Sequence, residues 1–182
     1  TQGIFPNGKI YSPRRVPTVL LFWDKEVKKD NNTSDVEGDK NMYSVRVYNA
    51  STEGNTKITN NFKVNEFKSD SKIVLIHGTL PIVLQKIRDE IGKGLNITNA
   101  YRTEAHNKRV GGASNSFHLY GMAADIWAKG ITPIELAKVI DNLFPITFGV
   151  IAYPKKGIVH FDVRAKKYRA INNGTEVKVD HF

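Results

Sequence analysis

The chain contains no cysteine, which excludes disulfides and any thiolate zinc finger; a metal site would have to be built from His, Asp and Glu. It also lacks any apolar run of the roughly 18 residues that a membrane-spanning helix needs. The apolar stretch near the start, VPTVLLFW, is far shorter and has no small-residue cleavage site, so no signal peptide is visible. Acid is scarce beside base: 18 Asp and Glu against 27 Lys and Arg give a net charge of +9. Such a chain is drawn to polyanions, whether nucleic acid, an anionic membrane surface or an anionic cell wall. The basic residues are scattered apart from Lys155-Lys156 and the cluster from Arg164 to Arg169. No nucleic-acid module signature interleaves them, so nucleic acid is not an expected partner. Internal repeats and low-complexity tracts are absent as well.

What is present suffices for a packed core, with 40% hydrophobic and 10% aromatic residues. The first 58 residues differ from the rest. They hold PNG and SPRR turn signals, a strand candidate at Val19 to Trp23, a polar loop from Lys28 to Asn41, and MYSVRVYNA, whose alternation predicts a half-buried strand. This reads as a β-rich N-terminal extension, followed by a second unit over residues 59 to 182. In that unit Thr79 is placed to cap a helix with Pro81 in its first turn. Val83, Leu84, Ile87 and Ile91 fall on one face before Gly92 and Gly94 end it. NITNAYR follows as a strand candidate. A second helix opens at TPIE, where Thr132, Pro133 and Glu135 make a capping box, and Ile140, Leu143 and Phe144 continue its apolar face. FGVIAY and GIVHFDVR read as strands joined by a PKKG turn. The expected fold is α+β: a small antiparallel sheet carrying the functional residues, two helices packed to one side, and the N-terminal extension.

Three titratable residues sit on, or at the mouth of, these strands: His118, Asp125 and His160. In GMAADIW, Ala123, Asp125 and Trp127 share one side; in GIVHFDVR, Val159, Phe161 and Val163 alternate with His160, Asp162 and Arg164. A carboxylate entering a buried strand is costly unless it neutralises, pairs or binds a metal. Two imidazoles and one carboxylate, with a fourth position left to water, is the ligand count of a catalytic zinc rather than a closed structural one. Each residue taken singly has a plainer reading, as a loop or strand histidine or a hydrogen-bonded buried carboxylate. His77, His106 and His181 read as structural or solvated.

The stretch Ser116 to Asp125, SFHLYGMAAD, matches the SxHxxGxAxD motif of the M15-type peptidases, which are zinc D-Ala-D-Ala carboxypeptidases and related peptidoglycan endopeptidases. AYRT at 100 to 103, HNKRVGGASNS at 106 to 116 and IVHFDVR at 158 to 164 resemble the flanking blocks of the phage and bacterial cell-wall branch, and the resemblance covers about residues 58 to 170. It implies a Zn2+ cofactor held by His118, Asp125 and His160. It implies that Arg102 contacts the substrate or the carbonyl being polarised, and that a peptidoglycan stem peptide is the partner, in a cell-wall, extracellular or phage-associated setting. Ser116 would orient a ligand or the substrate, or cap the turn. One departure stands out: the family often places its catalytic acid three residues before the last histidine, where this chain has Gly157. Asp162 is then the local candidate for general base, or else a carboxylate fixing a histidine tautomer. A non-catalytic, metal-stabilised module of a virion or envelope assembly is the alternative.

Overall fold

A computed structural model describes residues 44–182. The strand expected at Val19 to Trp23 and the loop from Lys28 to Asn41 lie outside them. The alternating stretch forms strand β1 (Val45–Asn49), which pairs antiparallel with β2 (Ile73–His77), Val45 opposite His77 and Asn49 opposite Ile73. A short helix, α1 (Ala50–Glu53), follows β1; its cap is the Asn49 side chain, which accepts from the Ser51 N–H.

The main sheet has six strands in the order β3-β4-β6-β5-β7-β8. They are β3 (Leu95–Asn99), β4 (Ala123–Ala128), β5 (Gly149–Tyr153), β6 (Ile158–Asp162), β7 (Tyr168–Asn172) and β8 (Glu176–Lys178). The sheet is mixed, not antiparallel throughout as the sequence suggests, because β5 and β7 run parallel. The cause is occupancy. β4 and β5 fill both edges of β6, so the chain reversing after β6 cannot pair with it and lands on the free edge of β5, where that reversal makes it parallel. Backbone bonds from Phe148 N to Arg164 O and from Tyr168 N to Phe148 O pin the crossing.

Helix α2 (Thr79–Ile91) begins one residue earlier than a Thr79 cap implies: Gly78 is the cap and Thr79 the first helical, buried residue. Gly92 closes the helix in the left-handed region, φ 58°. Helix α3 (Glu104–Arg109) is capped by Thr103. Helix α4 (Pro133–Leu143) carries the expected box: Thr132 Oγ1 accepts from Glu135 N, and Thr132 N donates to the Glu135 carboxylate at 2.8 Å. Helices α2 and α4 bury Leu80, Leu84, Ile87, Leu136, Ala137 and Ile140 against Ala124, Ile126, Val150, Ala152, Val159 and Phe161 of the sheet. Each fully buried large side chain contributes about 1.5–3 kcal/mol. By the two-residue period of a strand, Asp125, His160 and Asp162 must then project from the other face.

In the Arg164 to Arg169 cluster the two arginines turn inward, while Lys166 and Lys167 are exposed. The Arg169 side chain is wholly buried, donating to Asp141 at 2.7 Å and to the carbonyls of Phe144, Thr147, Phe148 and Tyr168. Arg164 is mostly covered too, for reasons given below.

Gly121 joins the two sheets. Its carbonyl accepts from His77 N at 2.9 Å, its φ is 64°, and a Cβ there would lie 2.2 Å from the Leu75 carbonyl oxygen. Gly121→Ala is expected to cost about 2 kcal/mol or more, from left-handed strain plus a backbone clash. Urea denaturation of the variant checks this; an unchanged midpoint would contradict it.

Candidate metal centre

His118 sits in a single 3-10 turn, Phe117–Tyr120, that Gly121 terminates. The turn is fixed from both sides: Leu119 N bonds Ser116 O, and His118 O accepts from Arg102 N at 3.1 Å. The imidazole is 2% exposed. Its Nδ1 lies 2.6 Å from the Ala100 carbonyl oxygen. A carbonyl only accepts, so Nδ1 carries the hydrogen and Nε2 presents its lone pair to the site.

Asp125 and His160 are direct partners in the β4–β6 register. Cross-strand partners share a sheet face, which brings the two side chains together without any loop. His160 Nδ1 lies 3.0 Å from Asp125 Oδ1 and 3.1 Å from His118 Nε2, and His118 Nε2 lies 3.2 Å from Asp125 Oδ1. The three residues predicted from the motif therefore converge, each offering one donor atom to a common point.

The donor set fits a metal. Ligands bonded at about 2.0–2.2 Å in a tetrahedron stand about 3.3–3.6 Å apart, within a few tenths of an ångström of the separations seen here. The electrostatics also favour a cation. Burial works against the ionised form of Asp125, but the neighbouring His118 and His160 outweigh it and hold the carboxyl well below the usual carboxylate range. Burial opposes the charged form of His160 as well, yet Asp125 and Asp162 lift it to about 9. His118 is pushed down by burial and stays neutral.

Arg102 donates from Nη2 to Asp125 Oδ2 at 2.7 Å, so each carboxylate oxygen has a separate task. Its Nε has no hydrogen-bond partner among the described residues. Arg102, Ser116, His118, Asp125 and His160 line one cleft of about 590 Å3. Asp162 does not line it. Its carboxylate is fully buried behind His160, with Oδ2 3.2 Å from Nε2, the nitrogen facing away from the donor triangle. Gly157 stands at the turn after β5 with φ 70° and no atom near the position of a Cβ.

The remaining histidines are elsewhere. His77 is buried and accepts from Thr79 N, His106 bonds Ser69 and lies by Asp70, and His181 is exposed. The sequence reading missed the far wall of the cleft: Ile151 and Tyr153 from β5, Lys156, and Tyr168 and Glu176 from the last hairpin. The signal for that hairpin was available in Asn173-Gly174, a turn dipeptide flanked by strand residues.

Comparison with known proteins supplies first the class. Residues 55–162, more than half of the chain, match the family model for Peptidase M15, and the chain belongs to this family. Among individual proteins, it is similar to a zinc D-Ala-D-Ala carboxypeptidase of Streptomyces albus G, 40% identical over 60 residues. That match takes in 32% of this chain and 24% of the relative, so the chain spans about a quarter of the length of the curated protein it matches.

Proposed function

We propose that this chain is a zinc-dependent peptidase that hydrolyses peptide bonds of bacterial peptidoglycan, and that His118 Nε2, Asp125 Oδ1 and His160 Nδ1 hold the metal. The observation that carries this reading is the triangle of donor atoms 3.0–3.2 Å on a side, its histidines fixed in orientation by Ala100 O and Asp162. Zinc in such a three-ligand site polarises a carbonyl and supplies an activated water at neutral pH. Arg102 orients the metal-binding carboxylate through one Nη and lines the cleft, where its guanidinium meets the substrate oxygen on which negative charge develops. Ser116, on the cleft wall beside the histidine turn, contributes to substrate placement.

For Asp162 we favour the positioning role over that of general base. A base must reach the proton it removes, and this carboxylate is sealed behind the ring it holds. The peptidase unit is taken as residues 59–182, with β1 of the preceding stretch added as partner to β2. The net charge of +9 suits action at an anionic wall, in bacteria or as a phage lysin, and predicts that binding to the wall weakens as salt screens it.

The test is digestion of purified peptidoglycan, with product masses read out in the presence and absence of a chelator. We expect cleavage that the chelator abolishes and added Zn2+ restores. Release of free D-Ala would mark a carboxypeptidase, and cut stems or bridges an endopeptidase. The glycine at position 157 is the feature that favours a non-catalytic module instead. That alternative prevails if no wall type yields chelator-sensitive products.

A further inference from the structure

The family match ends at Asp162, but the construction around the site continues beyond it. Arg164 grips Asp162 through three donors: Nε to Oδ1 at 2.7 Å, Nη2 to Oδ2 at 2.6 Å and its backbone N to Oδ1 at 3.1 Å. This paired geometry is the strong form of a guanidinium–carboxylate contact and fixes the carboxylate plane as well as its position. The same Oδ2 faces His160 Nε2. The orientation of the His160 ring therefore depends on where Arg164 holds Asp162.

The guanidinium itself lies over two aromatic rings. Its carbon lies 4.7 Å from the centroid of the Phe117 ring and 4.5 Å from that of Tyr168. Phe117 directly precedes His118 in the 3-10 turn, and its carbonyl accepts from Met122 N, so the turn's first residue rests on Arg164. On the other side, the Tyr168 hydroxyl donates to Glu176 of β8. One side chain thus braces the mount of His160 through Asp162 and the turn of His118 through Phe117, while touching neither histidine.

The sheet makes room for this pair. Asp162 is flanked in register by Ala123 on one neighbouring strand and Gly149 on the other. A Cβ on Gly149 would stand 2.2 Å from Asp162 Oδ2 and 2.6 Å from Arg164 Nε. Both neighbours must be small for a carboxylate and a guanidinium to lie between them. A mere surface cation would need no such accommodation.

We propose that Arg164 is a positioning residue of the metal centre, setting the affinity and geometry of the site by clamping Asp162 behind His160 and stacking under the His118 turn. The inference rests on the zinc reading above. Lysine keeps the charge but loses both the planar fork and the flat stacking surface.

The test is equilibrium zinc affinity of the full chain, measured by competition with a chromophoric chelator, together with the visible absorption of the Co2+-substituted protein. Arg164→Lys is expected to weaken zinc binding by about 10–100-fold, the range found when partners that orient metal ligands are removed, and to shift the cobalt bands. Phe117→Leu, which leaves the carboxylate pair intact, is expected to weaken binding by a smaller factor. It serves as the second variant should Arg164→Lys fold poorly. Val83→Ala in the α2 core lowers stability without touching the clamp and is expected to bind zinc like the wild type. The proposal is overturned if Arg164→Lys binds zinc within about twofold of wild type with an unchanged cobalt spectrum, or if Val83→Ala weakens binding equally. A wild-type chain that binds no zinc overturns the zinc reading itself, a different result from either of these.

Discussion

Replacing Asp125 with alanine is expected to lower zinc affinity by at least about 1000-fold and to bring peptide hydrolysis to background. The substitution removes one of the three proposed ligands and also the charge that would draw a cation to the cluster. It acts on the metal-free fold as well. Arg102 Nη2 loses its carboxylate and His160 loses the acceptor at 3.0 Å, in a region where the paired groups are little exposed. Breaking a buried pair by removing one partner costs about 3 kcal/mol or more. Asp125→Asn, which keeps shape and a carbonyl acceptor, should lose metal equally but less stability. Zinc titration and urea denaturation separate the two effects, and a metal-replete Asp125→Ala protein would remove this residue from the ligand set. The sign of the pH dependence follows from the same group of contacts. His160 is raised from 6.5 to about 9, so its contribution to the metal-free fold is fully present below about 6.5 and is lost as pH rises through about 9. Asp125 is depressed, so its contribution holds above the ordinary carboxylate range and disappears only in strong acid.

Arg169→Met should be among the most destabilising single changes in the chain, at about 3–5 kcal/mol, or a fall in melting temperature on the order of 10 °C for a chain of this size. Methionine roughly fills the volume but strands a buried acid. Among the described residues, Asp141 would keep only Phe182 N at 3.0 Å and Lys167 Nζ at 3.6 Å. The carbonyls of Phe144 and Thr147 would lose the guanidinium that donates to them, and Phe148 O would be left with the Tyr168 N–H. Phe148 matters most, since it holds a left-handed φ of 64° without being glycine, a conformation that costs about 1–3 kcal/mol and persists only when its surroundings enforce it. Asp141 is held below its ordinary value: burial would raise it, but the Phe182 N–H and Arg169 prevail. The stabilisation from this pair is therefore present above the unfolded carboxylate value and is lost as pH falls through the depressed one. Thermal melts of the variant and of wild type across that range check both statements, and a variant within about 1 kcal/mol of wild type would contradict them.

The features legible in the sequence were those that local chemistry fixes. Thr132, Pro133 and Glu135 announce α4 because a capping box satisfies helix-end N–H groups within four residues. The alternation in GIVHFDVR reports its two faces because strand periodicity is local. The convergence of His118, Asp125 and His160 could be anticipated from a motif but is produced by a register that no single segment encodes. The parallel placement of β7 depends on which sheet edges are already filled. That Arg164 and Arg169 turn inward depends on partners contributed by distant elements, including Phe117, Asp141 and the carbonyls around Phe148. The duty of Asp162 was open from spacing alone, because two residues along a strand fix the side it emerges from and not which ring nitrogen it meets.

The pairing of Asp125 with His160 has one more implication, for how the molecule fails. A slip of β4 by a single residue would invert every side chain on that strand, sending Asp125 into the oily layer beneath the helices and Ile126 out to solvent. A misaligned form would thus be both chemically dead and energetically untenable. Correct threading of β4 therefore brings Asp125 opposite His160 in the same step that buries Ile126.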